Sequence, residues 1–186
     1  MTELKVYKTH ENVHLPKFAT KQSACFDLAY CNAGKHEYTG FSGTNAPIKR
    51  FYTSDKLHVG PHERIMVPTG LILDIPVGYS VRVHPRSGLS LKNGIVLANL
   101  EGVIDSDYVE ELFLLIHNTS EVGFDIHNGD RLAQAELVKV EDYIIEETME
   151  KPIIKTDRIG GMGSTGVQKI EVSKAKVSQP KKTVDK

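Results

Sequence analysis

Short apolar runs separated by turn-forming residues constrain the fold of this chain more than any other feature of its sequence. Proline or glycine stands between or beside many of these runs, for example at Pro68, Gly70, Pro76 and Gly78. Such regular short spacing is typical of a β-sandwich or barrel rather than of alternating strands and helices. We therefore expect an all-β fold, which the 17 Val, 14 Ile and 12 Thr also favour. The candidate strands are Cys25–Tyr30, Arg64–Val67, Leu71–Ile75, Tyr79–Val83, Ile95–Leu97, Leu112–Ile116, Val122–Ile126 and Leu132–Val140.

One short helix is predicted at Ser87–Lys92. Ser87 is of the residue type that caps a helix N-terminus through its side chain. The Asn93-Gly94 pair that follows is typical of a helix end, because glycine readily adopts the left-handed conformation found there.

Length and charge exclude several classes of protein. The 186 residues suit one domain with a tail. A net charge of −1 argues against a bulk basic nucleic-acid binder. The longest apolar run, Leu112–Ile116, has five residues, whereas a membrane span needs about 20. The N-terminus shows no secretory signal, and Cys25 and Cys31 suit reduced thiols. We expect a soluble cytoplasmic protein with no nucleic-acid or membrane partner.

Composition divides the chain into three parts. Residues 1–148 are expected to form the β-domain, with a surface excursion at 32–56 that is rich in Gly, Ser, Thr, Asn and Lys. Residues 149–166 carry four glycines near their end and are interpreted as a mobile arm. The lysine-rich tail, 167–186, is expected to be disordered.

Two segments have the composition of anion-binding sites. Gly160–Gly166 contains four glycines and two hydroxyls whose N–H and O–H groups suit phosphate, although a flexible linker has the same composition. Arg158, just before it, is able to fork onto a terminal phosphate. Pro85–Gly88 places Arg86 beside a helix N-terminus, which binds anions, although Ser87 there also fits an ordinary cap.

Two groups of carboxylates have functional and structural interpretations. Asp105 and Asp107 are spaced to share one face of a strand, where a carboxylate can accept a proton from water or hold a metal. A turn capped by Asp and Ser is the alternative. Asp27 lies inside an apolar strand, where an unpaired acid is costly to bury. It therefore either forms a salt bridge or serves a site.

The order of these motifs identifies a family. Ala24–Leu28, Pro85–Ile95, Asn99–Tyr108, Gly129–Gln134 and Arg158–Gly166 resemble the five-motif series of the trimeric dUTPases, the dUTP pyrophosphatases. The resemblance implies a jelly-roll-like β-clip subunit and a homotrimer with C-terminal arm exchange. It also implies hydrolysis of dUTP to dUMP and pyrophosphate with Mg²⁺ on the triphosphate. The extra segments are compatible with a phage source, in which case the location is the host cytoplasm.

The resemblance assigns roles in the reaction and the nucleoside pocket by motif position. Asp105 corresponds to the base that activates the attacking water, and Asp27 to the acid that holds Mg²⁺ through water. Asn99 and Tyr108 correspond to the uracil and deoxyribose pocket. Tyr108 is expected to pack against the sugar and leave no room for a ribose 2′-hydroxyl.

The remaining roles concern the phosphates and the arm. The substrate-binding residues implied there are Arg86, Ser87, Gly88 and Gln134 at the phosphates, and Arg158, Met162, Gly163, Ser164 and Thr165 on the arm. Met162 takes the place of the aromatic residue that usually stacks on uracil. Cys25 takes the place of a glycine in the first motif.

Two other functions are compatible with the sequence. A dCTP deaminase of the same superfamily typically has serine in place of Gly88, so Gly88 and the Gly-Val-Ile-Asp105 pattern favour the hydrolase. A non-catalytic regulator that keeps the nucleotide pocket is the second alternative. The intact Asp105 and Asp27 argue against it.

Overall fold

A computed structural model describes residues 2–32, 37–51 and 56–157 of the chain. Across these residues it contains thirteen strands and one helix, which confirms the prediction of an all-β fold with one short helix. The strands are β1 Lys5–Lys8, β2 Phe26–Ala29, β3 Glu37–Phe41, β4 Pro47–Phe51, β5 Lys56–Val59, β6 Arg64–Pro68, β7 Leu71–Asp74, β8 Tyr79–Pro85, β9 Ile95–Leu97, β10 Gly102–Ile104, β11 Phe113–Asn118, β12 Phe124–His127 and β13 Arg131–Lys139. The helix is α1, Ser87–Asn93.

Two larger sheets supply most of the core. A four-stranded sheet has the order β10-β8-β13-β2, and a five-stranded sheet has the order β4-β3-β6-β11-β9. Two small antiparallel sheets, β1-β7 and β12-β5, complete the fold. Alternating residues of the larger sheets point into one apolar cluster, where Val81 and Val83 of β8 lie with Val67 of β6 and Ile116 of β11.

The segment 32–56 contains strands where we expected an irregular surface excursion. β3 and β4 pair as a hairpin, and β3 also pairs with β6 of the five-stranded sheet. Tyr38 is only 5% exposed, and its hydroxyl donates to the carbonyl of His58. A Cβ built at Gly40 would lie 2.7 Å from Cγ2 of Ile65, so the close approach of β3 to β6 needs glycine there. Contact with β6 stabilises strands that the local composition does not favour.

The helix ends as predicted but begins differently. Gly94 is the C-cap, with φ of 67°, and its N–H donates to the carbonyl of Leu89. At the other end, the N-cap is Arg86 in extended conformation, and no side chain caps the helix. The prediction that Ser87 caps the helix is therefore wrong, because Ser87 is already its first residue.

The chain divides into two compact units, Met1–Tyr143 and Ile144–Lys186. The described part of the second unit, 144–157, contains no helix or strand. It exposes large apolar side chains, with Ile144 and Ile154 91% and 89% exposed. In the part of the chain that the structure describes, no helix is long and apolar enough to cross a membrane. The boundaries at 148 and 166 stay predictions.

The core predicts a contrast between two identical substitutions. Val67 is fully buried and Val77 is 93% exposed. Val67→Ala should lower the free energy of unfolding by about 2 kcal/mol, since it removes two buried carbons and leaves a cavity. Val77→Ala should change it by less than about 0.5 kcal/mol. Chemical denaturation of both variants measures the difference, and equal losses would contradict this core.

Candidate functional site

The structure distributes the predicted site residues between two clefts. The first, here called the Asp27 cleft, has a volume of about 580 Å³. Its lining includes Asp27, Arg86, Ser87, Gly88 and Gln134. The second, here called the Asp105 pocket, has a volume of about 310 Å³, and its lining includes Asn99, Asp105 and Tyr108. Each cleft thus collects one of the two predicted groups, the phosphate contacts and the nucleoside pocket with the base.

Asp27 forms the centre of the first cleft, on β2. One carboxylate oxygen accepts from Nη1 of Arg131 at 2.9 Å, and the other lies 3.2 Å from Nε of Arg86. The Asp27 side chain is 18% exposed. Arg86 also donates from Nη1 to the main-chain carbonyl of Arg131 at 2.9 Å. The acid embedded in an apolar strand is therefore paired, as burial requires.

The strand β13 supplies two residues to this cleft. Gln134 lies directly opposite Asp27 in the antiparallel ladder, and its Nε2 donates to the carbonyl of Pro85 at 3.1 Å. Arg131 lies opposite Ala29, with a bulge between Arg131 and Ala133. Arg131 was not among the site residues predicted from the sequence. The Gly129-Asp130-Arg131 sequence could have indicated a role for Arg131 at the site. The same sequence also fits a turn that only opens a strand.

The N-terminal turn of α1 lines the same cleft. Ser87 and Gly88 are both exposed there. Apart from its chain neighbours and the backbone of its own helix, nothing described lies within 4 Å of a Cβ built at Gly88. The backbone at Gly88 is therefore open to approach from outside the chain.

Cys25, which stands where the motif resemblance implies a glycine, lines this cleft. Among the described residues, positive φ outside glycine occurs only at Asn45, His62 and Leu100, so the backbone accepts a side chain at Cys25 without strain. Burial, together with the charge of Glu136, raises the pKa of the Cys25 thiol. The thiol is therefore less nucleophilic at neutral pH than an exposed one.

A tight turn between β9 and β10, which belong to different sheets, presents the residues of the Asp105 pocket. The turn passes through Leu100, whose φ is 62°. Gly102 packs against β8, where an added Cβ would lie 3.1 Å from Cβ of Val83. Beyond β10, the N–H of Tyr108 donates to the carbonyl of Asp105 at 3.2 Å. The Asp105 side chain is left at the surface.

Tyr108 is anchored at its outer end. Its hydroxyl donates to the carbonyl of Glu111 at 2.9 Å, while 40% of the residue stays exposed. The hydrogen bond thus holds the aromatic ring at the Asp105 pocket, where part of it stays exposed.

β8 separates Asp105 from Arg86. Ile104 pairs with Val81 near the start of β8, so Asp105 lies close to that end, whereas Arg86 follows the other end. Five residues from Val81 to Arg86 span about 16 Å of strand. A single chain does not bring these two side chains together.

The predicted residues of the arm, Arg158, Met162, Gly163, Ser164 and Thr165, lie outside the described residues. Their roles stay predictions.

Comparisons with known proteins agree with the motif series. The family model described as dUTPase matches residues 51–166. The deoxyuridine 5′-triphosphate nucleotidohydrolase of Finegoldia magna is 41% identical over 133 residues, which cover 71% of this chain and 90% of that protein. The enzyme of the same name from Syntrophotalea carbinolica is 36% identical over 164 residues, 88% of this chain and 96% of that protein.

Solved structures show the same fold. The dUTPase of Staphylococcus bacteriophage 80alpha, solved with dUpNHpp, is similar with a TM-score of 0.71 and 21% identity, covering 90% of this chain and 100% of that one. The dUTPase from phage phi11 of S. aureus has a TM-score of 0.63 and 20% identity, covering 81% and 98%. The resemblance seen in the sequence is confirmed, and the chain belongs to the dUTPase family.

Proposed function

We propose that this chain hydrolyses dUTP to dUMP and pyrophosphate, which limits uracil in DNA and supplies dUMP for dTMP synthesis. The observation that carries the proposal is the pocket that Asn99, Asp105 and Tyr108 line together. Relatives across most of this chain's length are named for the same reaction. The Asp27 cleft, which Arg86 lines, provides positive charge for a triphosphate.

Asp105 is proposed as the general base. Its carboxylate accepts a proton from water as the water oxygen bonds to the α-phosphorus and the bond to the pyrophosphate oxygen breaks. The Asp105 carboxylate is exposed, so a water molecule can reach it. Holding water in line with the leaving group is what makes a single carboxylate sufficient.

Asn99 and Tyr108 are proposed to select the nucleoside. The side-chain amide of Asn99 offers both donors and an acceptor to the uracil edge. The Tyr108 ring, held by its bond to Glu111, is positioned to pack on deoxyribose and to exclude a 2′-hydroxyl.

Arg86, Ser87, Gly88 and Gln134 are proposed to bind the phosphates. Arg86 supplies a charge-assisted fork, and the open backbone at Gly88 allows close approach of an anion. On the arm, Arg158, Gly163, Ser164 and Thr165 are proposed to hold the β- and γ-phosphates. Met162 is proposed to cover uracil with its flexible, polarizable side chain.

Asp27 is proposed to hold a hydrated Mg²⁺ ion through water. Within the described residues there is no group of three or more His, Cys, Asp or Glu that could hold a metal. Both oxygens of Asp27 already face arginines, so its carboxylate suits a contact through water rather than direct ligation. When bound with the triphosphate, Mg²⁺ neutralises charge on the leaving pyrophosphate.

A homotrimer with arm exchange is proposed because Asp105 and Arg86 lie apart within one chain. A site that needs both therefore takes them from two copies. Apolar side chains at the Asp105 pocket support an interface, since Met66, Val103 and Leu115 are each at least 39% exposed. Exposed isoleucines in 144–157 likewise suit burial against a second copy.

The first test concerns the base. Asp105→Asn should reduce turnover by about 10²–10⁴-fold, the usual contribution of a general base, and leave nucleotide binding intact. Asp107→Asn, two residues along the same loop, is the matched control and should stay near wild type. The turnover of both variants is measured as pyrophosphate release from each deoxynucleotide triphosphate. Ammonia release from dCTP, measured alongside, distinguishes a deaminase from the proposed hydrolase. Turnover of Asp105→Asn close to that of the control would remove Asp105 as the base.

The second test concerns the sugar. The wild type should strongly prefer dUTP over UTP. Tyr108→Ala should reduce the ratio of kcat/KM for dUTP to kcat/KM for UTP by about tenfold or more, since the pocket then lacks the ring that excludes a 2′-hydroxyl by close contact. Tyr108→Phe keeps the ring but loses the bond to Glu111, and should retain most of the preference. Equal kcat/KM for dUTP and UTP in the wild type would contradict the role of Tyr108.

The third test concerns the arm. Truncation after Ile159 should remove most activity, because the proposed phosphate contacts and the uracil cover are lost. Truncation after Val167 should change it little, because no family motif lies beyond. Size-exclusion chromatography with light scattering should show a trimer for both. Equal hydrolysis by the two truncated proteins would mean that the arm has no catalytic role, and monomeric wild type would contradict the shared site.

A further inference from the structure

A carboxylate lies in the cleft that the proposed function assigns to a triphosphate. Asp27 is flanked by Arg86 and Arg131, and its side chain is only 18% exposed. Two like charges in a partly buried cleft repel strongly, so an uncompensated Asp27 would oppose phosphate binding. The inference below rests on the proposed function and concerns which arginine stays with Asp27 when the nucleotide binds.

The bulge in β13 turns Arg131 towards Asp27. In the ladder Gln134 pairs with Asp27, Ala133 with Leu28, and Arg131 with Ala29, so Leu132 is the extra residue. Paired residues share a face, and faces alternate along a strand. Arg131 therefore lies on the same face as Asp27. Without the bulge Arg131 would pair with Tyr30, which lies on the core face and is 1% exposed. The Arg131 side chain would then point into the core.

The two arginines differ in how they are placed. Arg131 makes the shorter contact with Asp27, 2.9 Å against 3.2 Å, as a diagonal neighbour within one sheet. Arg86 follows the end of β8 and directly precedes Ser87 and Gly88, the open turn of α1. Arg86 is thus next to the backbone that a phosphate would approach, whereas Arg131 belongs to the strand beside Asp27.

We propose that Arg131 is the permanent counter-ion of Asp27 and that Arg86 is the exchangeable one. When the nucleotide binds, the Arg86 side chain leaves Asp27 and pairs with the triphosphate. Arg131 stays paired with the Asp27 carboxylate and keeps that carboxylate from repelling the phosphates. Arg131 is then a positioning residue that acts through Asp27 and not a phosphate contact.

A comparison of single and double variants tests this assignment. The dissociation constant of dUpNHpp is measured by calorimetry with the full chain, with Mg²⁺ and with EDTA. Arg131→Gln should weaken binding about tenfold or more in EDTA, because Asp27 becomes unpaired once Arg86 leaves it. Adding Asp27→Asn to Arg131→Gln should restore binding to within about threefold of Asp27→Asn alone, since the repelling charge is gone.

Arg86→Gln is the matched control. It should also weaken binding, but Asp27→Asn should not rescue it, because a direct phosphate contact is lost. Arg131→Lys, which keeps the charge, should retain more affinity than Arg131→Gln, and thermal unfolding of each variant reports whether it is folded.

The outcomes separate the two proposals. Rescue of Arg131→Gln but not of Arg86→Gln supports the assignment. Absence of rescue in folded Arg131→Gln, or equal rescue of both arginine variants, overturns it while the proposed function stands. A wild type that neither binds dUpNHpp with Mg²⁺ nor hydrolyses dUTP overturns the proposed function and this inference with it.

Discussion

Backbone pairing of β8 with β10 on one side and with β13 on the other decides where the functional side chains lie. The ladder to β13 brings Gln134 and Arg131 beside Arg86 and Asp27. The ladder to β10 places Asp105 near the opposite end of the same strand. Since the seven residues of β8 are extended, Asp105 and Arg86 do not meet within one chain. The proposed site, which uses both residues, therefore calls for a second copy.

Features governed by local chemistry could be predicted from the sequence. The candidate strands from Arg64 onward match observed ones to within two residues, because β-branched runs and turn residues coincide there. Gly94 ends the helix in the left-handed conformation that glycine favours. The motif series pointed to the family because its residues have fixed spacing within loops and strand ends.

Features set by contacts distant in sequence could not be predicted. β3 and β4 have a loop-like composition, and pairing with β6 makes them strands. Ser87 has the chemistry of a cap, yet the chain enters the helix one residue earlier, at Arg86. Arg131 needs a bulge to face Asp27, and only the pairing register reveals that bulge. The separation of the site into two clefts also depends on register and not on spacing along the chain.

Gly88 shows how folding and activity place different demands on one position. It is the second residue of α1, has no positive φ, and leaves open space where a side chain would be. Alanine is favoured over glycine by about 1 kcal/mol inside a helix, so folding alone would select against glycine here. Any requirement for glycine must come from what approaches the cleft from outside the chain. A screen for thermostable variants would therefore select substitutions at this position that a screen for activity rejects, a trade-off between stability and function confined to one residue.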